Sequence, residues 1–236
     1  MIVGFIGLGT MGRNAALNVR RKGYGMVVYD VRAAAFAPLL AAGAARGASP
    51  ADVLQRCDVV VTMVFGPNEV EQVVRGEEGF FSASCAGKHW IDMTTSSPRR
   101  MRELAAEFTA RGGFPIDAPV TGSVDAAIRG DMPMFVGGAD ADIEHVRPVL
   151  EAMGEIRRVG AHGNGYVAKL VNNQLWKIHA AAIGEAMVAA KVAGLEPDVW
   201  WSVMKGGAAD SFVLQHDVPS IFAGHYDPSF RLALCL

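Results

Sequence analysis

The sequence predicts an α/β chain: a doubly wound, mostly parallel sheet, then a long helix leading into an incomplete all-α domain. Three observations predict it. Short apolar, β-rich runs alternate with helical ones through roughly the first two-thirds of the chain, the pattern of a parallel sheet covered on both faces. A glycine-rich turn joins the first apolar run to the first helical one. From Gly165 onward the β pattern stops, and a helical segment of about 30 residues, about 45 Å long, begins. That is too long for an ordinary crossover and suits a passage into a second domain. The boundary is placed near Ala161, giving a sheet domain over residues 1–161 and the long interdomain helix with a partial helical domain over 162–236.

In chain order, strands are expected at residues 2–6, 26–30, 59–64 and 89–93, each an apolar run bounded by turn residues. Residues 116–119, 134–136 and 156–159 are shorter runs, in which strand and buried loop read alike. Helices are expected between them, including residues 11–22, 33–42, 98–111 and 141–153. The alanine-rich stretch 33–45 reads as a helix and its exit.

Composition bounds the function classes. The chain has 236 residues, of which 51% are hydrophobic, enough for a well-buried core. Its 22 basic and 24 acidic residues leave a net charge of −2 with neither sign in a long run, so no footprint for nucleic acid appears. Arg99-Arg100 and Arg157-Arg158 read as solvated faces. Cys57, Cys85 and Cys235 stand far apart with no C-x-x-C spacing, which argues against a disulfide framework or a metal site and for a reducing compartment. Met1 runs straight into an apolar strand without a charged leader, so a cytoplasmic protein is expected. The apolar segment 167–192 is interrupted by Lys169, Lys177, His179, Glu185 and Lys191 and is not expected to span a membrane.

The turn after the first strand reads Gly7-Leu8-Gly9-Thr10-Met11-Gly12, a G-x-G-x-x-G in strand–turn–helix context. In such a turn the first glycine permits the bend, the second lets a pyrophosphate approach the backbone, and the third packs helix on strand. The helix N-terminus adds amide donors and a positive dipole end. Asp30 closes the second strand within the ~20 residues at which the fingerprint places an acid for the adenosine ribose. Together these predict a Rossmann-type dinucleotide site. Asp30 favours NAD, because a carboxylate repels the extra phosphate of NADP; Arg32 keeps NADP possible, since a guanidinium there can pair that phosphate. Met63, Val64 and Phe65 end the third predicted strand and Thr95 follows the fourth, where open α/β sheets bind ligands.

Two further segments carry candidate chemistry. Residues 117–123, Asp-Ala-Pro-Val-Thr-Gly-Ser, follow a strand, and Thr121, Gly122 and Ser123 offer hydroxyls and loop amides suited to a carboxylate. Residues 160–173 place Lys169 and Asn173 four apart at a helix start, hence on one face. Gly160, Gly163 and Gly165 precede them and allow a tight turn and a close approach to the backbone. An isolated Lys-x-x-x-Asn is ordinarily a solvated pair; its context gives it weight here. His162 reads as a turn residue, His179 lies beyond reach of Lys169, and Trp176, Trp200 and Trp201 read as packing surface.

With these residues in view, the chain resembles the β-hydroxyacid dehydrogenase family, whose best-known member is 3-hydroxyisobutyrate dehydrogenase. Four segments match in order, namely GFIGLGTMG at residues 4–12, the strand-ending Asp30, DAPVTGS at 117–123 and GNGYVAKLVNN at 163–173. The resemblance covers essentially the whole chain. It implies reversible, NAD(P)-dependent oxidation of a short β-hydroxy acid to its semialdehyde or keto acid. It implies a catalytic role for Lys169, substrate orientation by Asn173 and carboxylate binding by Thr121 with Gly122. To accept the hydroxyl proton, Lys169 must be neutral, which requires its pKa to fall by desolvation. It further implies a homodimer or homotetramer assembled through the helical domain. Two other functions stand beside this one: a cofactor-binding relative without catalysis, and a reductase of a related carbonyl or imine substrate. Imine-reducing relatives replace the lysine that Lys169 matches, and non-catalytic relatives typically lose it.

Three departures from the family pattern appear. Phe65 stands where the family has the proline of an M-L-P turn, and Thr121 and Ser123 replace a serine and a glycine, narrowing the expected pocket. The chain stops on the apolar run 229–236, which reads as a helix cut before its cap. In the family this run continues into a K-D-L element whose lysine contacts the cofactor.

Overall fold

The computed structural model describes residues 1–225. Strand β1 (Ile2–Ile6) feeds helix α1 (Thr10–Arg21), followed by β2 (Gly25–Tyr29), a 3-10 turn (Ala33–Ala35), α2 (Ala37–Ala41) and β3 (Ala45–Arg46). Next come α3 (Pro50–Arg56), β4 (Val59–Thr62), α4 (Pro67–Arg75), β5 (His89–Asp92), α5 (Pro98–Ala110) and β6 (Phe114–Asp117). The sheet unit ends with α6 (Val124–Arg129), β7 (Met132–Gly137), α7 (Asp140–Met153) and β8 (Gly154–Gly160). Then come α8 (Asn164–Val192), α9 (Pro197–Met204) and α10 (Phe212–Phe222).

Among the described residues the strands form one eight-stranded sheet in the order β3-β2-β1-β4-β5-β6-β7-β8. β1 to β6 are parallel, β7 is antiparallel to β6, and β8 is parallel to β7. The chain winds outward from β1 in one direction to β3 and in the other from β4, so a crevice opens at the carboxyl ends of β1 and β4, where such sheets bind ligands. Alternation along the strands builds a core on each face. Val3, Phe5, Val28, Val59, Val61 and Ile91 pack under α1 and α7, whereas Ile6, Val27, Val60 and Trp90 pack under α3, α4 and α5.

Two local expectations differ from the structure. The helix expected over residues 33–42 is broken into the 3-10 turn and α2, because Pro38 lacks an N–H and its ring excludes the carbonyl a turn earlier, so the helix restarts with Pro38 in its first turn. The strand expected over 59–64 ends at Thr62, and Met63 and Val64 turn over the sheet edge. β3 has only two residues and offers no alternation to read.

Packing divides the chain within α8 into a unit Met1–Leu170 and a second beginning at Val171. Lys169 therefore belongs with the sheet and Asn173 with the helices. In the second unit Trp200, Leu214 and Val218 form a small core against Ile183 and Met187 of α8. The Trp176 indole donates to Asp217 at 3.2 Å, and that of Trp201 to the Leu214 carbonyl at 2.8 Å. Among the described residues no helix is long and apolar enough to cross a membrane. The terminal apolar run 229–236, expected to be helical, lies outside the described residues.

Candidate active site

The glycine turn is built as its spacing requires. Gly7 has φ +95, and a Cβ there would collide with the Met63 carbonyl. A Cβ on Gly12 would strike the Gly7 carbonyl, so helix and strand could not close. A Cβ on Gly9 would meet nothing within 4 Å, which leaves its outer side open to a ligand at the start of α1. The Leu8 amide donates to Asp30 Oδ2 at 2.7 Å. Asp30 is 8% exposed, and Arg32 grips it from the other side through Nε to Oδ1 at 3.0 Å and Nη2 to Oδ2 at 3.1 Å. Burial pushes the Asp30 carboxyl up, but the Arg32 side chain and the amides of Arg32 and Leu8 outweigh it and hold the group below the usual carboxylate range. A cavity of ≈ 230 Å³ lies here, lined by Leu8, Gly9, Thr10, Arg13, Arg32, Ala34 and Ala35. These residues fit an NAD(P) dinucleotide: the open glycine and the N-terminus of α1 for the pyrophosphate, Asp30 and Arg32 for the adenosine ribose. Met11 is half-buried against the core beneath this turn.

Along the same sheet edge, the Met63 amide donates to the Ile6 carbonyl at 2.9 Å, and the Val64 amide donates to Thr94 Oγ1 at 3.2 Å. Phe65 is 58% exposed and Thr95 is exposed, so both turns present side chains outward. In the loop after β6, the Thr121 amide donates to the Pro133 carbonyl at 2.9 Å, and Gly122 has φ +103. The Ser123 hydroxyl accepts the Ala126 amide at 3.4 Å and caps α6.

The turn before Lys169 is organised around a buried acid. Asp117, wholly buried at the end of β6, accepts the Gly163 amide on Oδ1 at 3.0 Å and the Tyr166 amide on Oδ2 at 3.1 Å. It thereby satisfies amides at the start of α8 and places a carboxylate at the positive end of that helix. The glycines follow from this. A Cβ on Gly165 would collide with the Phe135 carbonyl and stand 2.6 Å from Asp117 Oδ2, and Gly163, at φ +95, would meet Arg102. The close approach that Gly163 and Gly165 predict is thus an approach by the protein's own carboxylate. Lys169 is half-buried just beyond the first turn, and Asn173 follows four residues later on the same helix.

A second buried acid ties this turn to the strand ends. The Tyr166 hydroxyl, wholly buried, donates to Asp92 Oδ2 at 2.8 Å. Asp92 Oδ1 accepts the Thr62 hydroxyl at 2.5 Å, and the Thr62 oxygen in turn accepts the Trp90 indole N–H at 2.9 Å. Burial pushes the Asp92 carboxyl up to about 6, against the pull of the Thr62, Thr94 and Tyr166 bonds. His162, whose ring lies 6.0 Å from that of Tyr166, is held below its ordinary value, chiefly by burial. Sequence reasoning gave no role to Asp92 or Tyr166 and read Asp117 only as part of a loop motif. One signal was present: Asp30, Asp92 and Asp117 each close an apolar strand run. Among the described residues no group of three or more His, Cys, Asp or Glu side chains is placed to hold a metal ion.

Comparison with known proteins matches residues 2–168 to the family described as the NAD binding domain of 6-phosphogluconate dehydrogenase. Residues 163–236 match the NAD-binding family of NADP-dependent 3-hydroxyisobutyrate dehydrogenase. The chain is 34% identical to 2-hydroxy-3-oxopropionate reductase of Escherichia coli over 99% of this chain and 80% of that one. It is likewise 34% identical to mitochondrial 3-hydroxyisobutyrate dehydrogenase of Mus musculus, over 94% of this chain and 67% of that one. The solved structure of Mycobacterium tuberculosis 3-hydroxyisobutyrate dehydrogenase with L-serine superposes with a TM-score of 0.85 at 30% identity, covering 92% of this chain and 74% of that one. With the glycine turn, Asp30 and the anchored α8 in place, the chain belongs to the β-hydroxyacid dehydrogenase family of NAD(P)-dependent oxidoreductases, to which 3-hydroxyisobutyrate dehydrogenase gives its pattern.

Proposed function

We propose that this chain reversibly oxidises a short β-hydroxy acid, 3-hydroxyisobutyrate-like in size, and that Lys169 is its general acid and base. One observation carries the reading. The first turn of α8 is bonded to Asp92 and Asp117 at the carboxyl ends of β5 and β6, so Lys169 leaves the sheet at the same edge as the Gly7–Gly12 turn. When bound, the nicotinamide accepts a hydride from the substrate carbon. Lys169, neutral, takes the hydroxyl proton within hydrogen-bond reach; as ammonium, in reverse, it returns that proton and polarises the carbonyl. Asn173, one helical turn on, orients the substrate oxygen. Thr121 and the backbone at Gly122 take the substrate carboxylate, while the Ser123 hydroxyl, engaged as a cap, shapes the loop.

Met63, Val64, Phe65 and Thr95 border the nicotinamide half of the cofactor in this reading, and Leu8, Gly9, Thr10 and Arg32 the other half. Assembly as a homodimer or homotetramer is supported by the exposed apolar side chains of Val171, Leu175 and Ile178 along α8. A cytoplasmic setting is supported by the free buried thiols of Cys57 and Cys85.

The test is turnover of short 2- and 3-hydroxy acids with NAD and NADP, comparing the unaltered chain with Lys169→Ala. Loss of general acid–base help lowers kcat by about 10²–10⁴-fold. An active chain in which Lys169→Ala loses nothing refutes the mechanism. A chain that binds NAD(P) but turns over no hydroxy acid favours the non-catalytic reading.

A further inference from the structure

We infer that Asp92 and Tyr166 are a positioning pair for Lys169, fixing the first turn of α8 against the strand-end turns that border the nicotinamide. The inference rests on the reading of Lys169 as the acid and base. Tyr166 precedes Lys169 by three residues, so the two share nearly one helix face and a rotation of the turn moves both. The Tyr166 ring fills the core beneath α5, and its hydroxyl reaches Asp92 at 2.8 Å. From Asp92 the chain of bonds goes on: the Thr94 amide donates to Asp92 Oδ1 at 3.4 Å, and Thr94 Oγ1 accepts the Val64 amide at 3.2 Å. One buried path thus runs from the helix carrying Lys169 to the turns at Val64 and Thr94.

That path is not needed to hold the helix start. Asp117 already satisfies the Gly163 and Tyr166 amides, and a phenylalanine ring would fill the same core volume. A buried hydroxyl is unfavourable unless bonded, and Asp92 is the acceptor that satisfies that of Tyr166, so the pair sets a geometry that apolar packing leaves loose. What it sets is the azimuth of α8 about its own axis, and with it the direction of Lys169. A displacement of about 1 Å at a reacting group can cost about 100-fold in rate. The hydroxyl itself touches no reacting atom, which makes Tyr166 a positioning residue.

Tyr166→Phe tests this, measured in the unaltered chain and in the Lys169→Ala background, with NAD(P) affinity determined alongside. In the unaltered chain kcat should fall by about 10-fold or more, with cofactor affinity within about twofold. In the Lys169→Ala background the same change should alter kcat by less than about twofold, because the group being aimed is gone. Thr94→Val, which cuts the path at its other end, should repeat the pattern and serves if Tyr166→Phe folds poorly. Equal fold losses in both backgrounds would show a general structural role and overturn the inference. A loss in Lys169→Ala beside none in Tyr166→Phe overturns it too and leaves the acid–base reading standing. No loss in Lys169→Ala alone removes that reading and the inference with it.

Discussion

Asp92→Asn isolates the energetic cost of an ionised carboxyl in this core. Asp92 is 1% exposed, and its acceptor bonds come from hydroxyls and an amide, with no cation among the causes acting on it. Its pKa is raised from 3.8 to about 6. At about 1.4 kcal/mol per tenfold, keeping it ionised in the folded chain costs about 3 kcal/mol. Because the folded value lies above the unfolded one, the stability given by protonated Asp92 is fully present below about pH 4 and is lost as pH rises through about 6. Asparagine has the same shape, keeps an acceptor for Tyr166 and carries no charge. Urea unfolding of the cofactor-free chain, followed by circular dichroism, gives the stability of each form across pH. The stability of Asp92→Asn relative to the unaltered chain should rise by about 2 kcal/mol between about pH 4.5 and pH 8. Other titrations, including those of His162 and Asp30, act on both chains and cancel in the difference. A difference that does not change with pH would show that burial does not raise Asp92.

Two further substitutions test the neighbouring geometry. In Gly165→Ala the new methyl collides with the Phe135 carbonyl and stands 2.6 Å from Asp117 Oδ2, both held by the sheet. Unfolding free energy should fall by about 1–3 kcal/mol, and a variant as stable as the unaltered chain would mean that the α8 turn is looser than described. In Arg32→Ala the two side-chain bonds to Asp30 disappear and the carboxylate loses its cation. kcat/KM with NADP should then fall about tenfold or more relative to that with NAD, since the 2′-phosphate loses its guanidinium and still faces Asp30. An equal change for both cofactors would deny Arg32 a part in the choice.

What was legible in the sequence was what lies close together along it. Gly7, Gly9 and Gly12 occupy one turn, and Asp30 ends the next strand, so spacing alone places them at one site. Lys169 and Asn173 share a helix, and the period of the helix puts them on one face. The contacts that hold Lys169 to the sheet have no such spacing. Tyr166 meets Asp92 across 74 residues, and Gly163 meets Asp117 across 46. A tyrosine near a helix start and an aspartate ending a strand each have ordinary local explanations, and only the closed sheet brings them to hydrogen-bond distance. The helix expected over residues 33–42 fails for the opposite reason: six alanines favour it locally, yet Pro38 breaks it.

The three acids at the carboxyl edge differ in what they can do because they differ in what donates to them. Asp30 has a guanidinium and is held as a carboxylate below its ordinary range, fit to accept from a ribose and to repel a phosphate. Asp117 has two helix amides, so its bonds end in backbone and its effect is to hold a turn in place. Asp92 has the hydroxyls of Thr62 and Tyr166, groups that can both donate and accept, so its network can remain bonded whether the carboxyl is charged or not. A parallel sheet brings all its carboxyl ends to one edge, and an acid at that position is within reach of the loop and helix that follow. Along β2, β5 and β6 the same residue type at the same edge therefore pairs with a guanidinium, accepts the Tyr166 hydroxyl and anchors the first turn of α8, with the donor set deciding which.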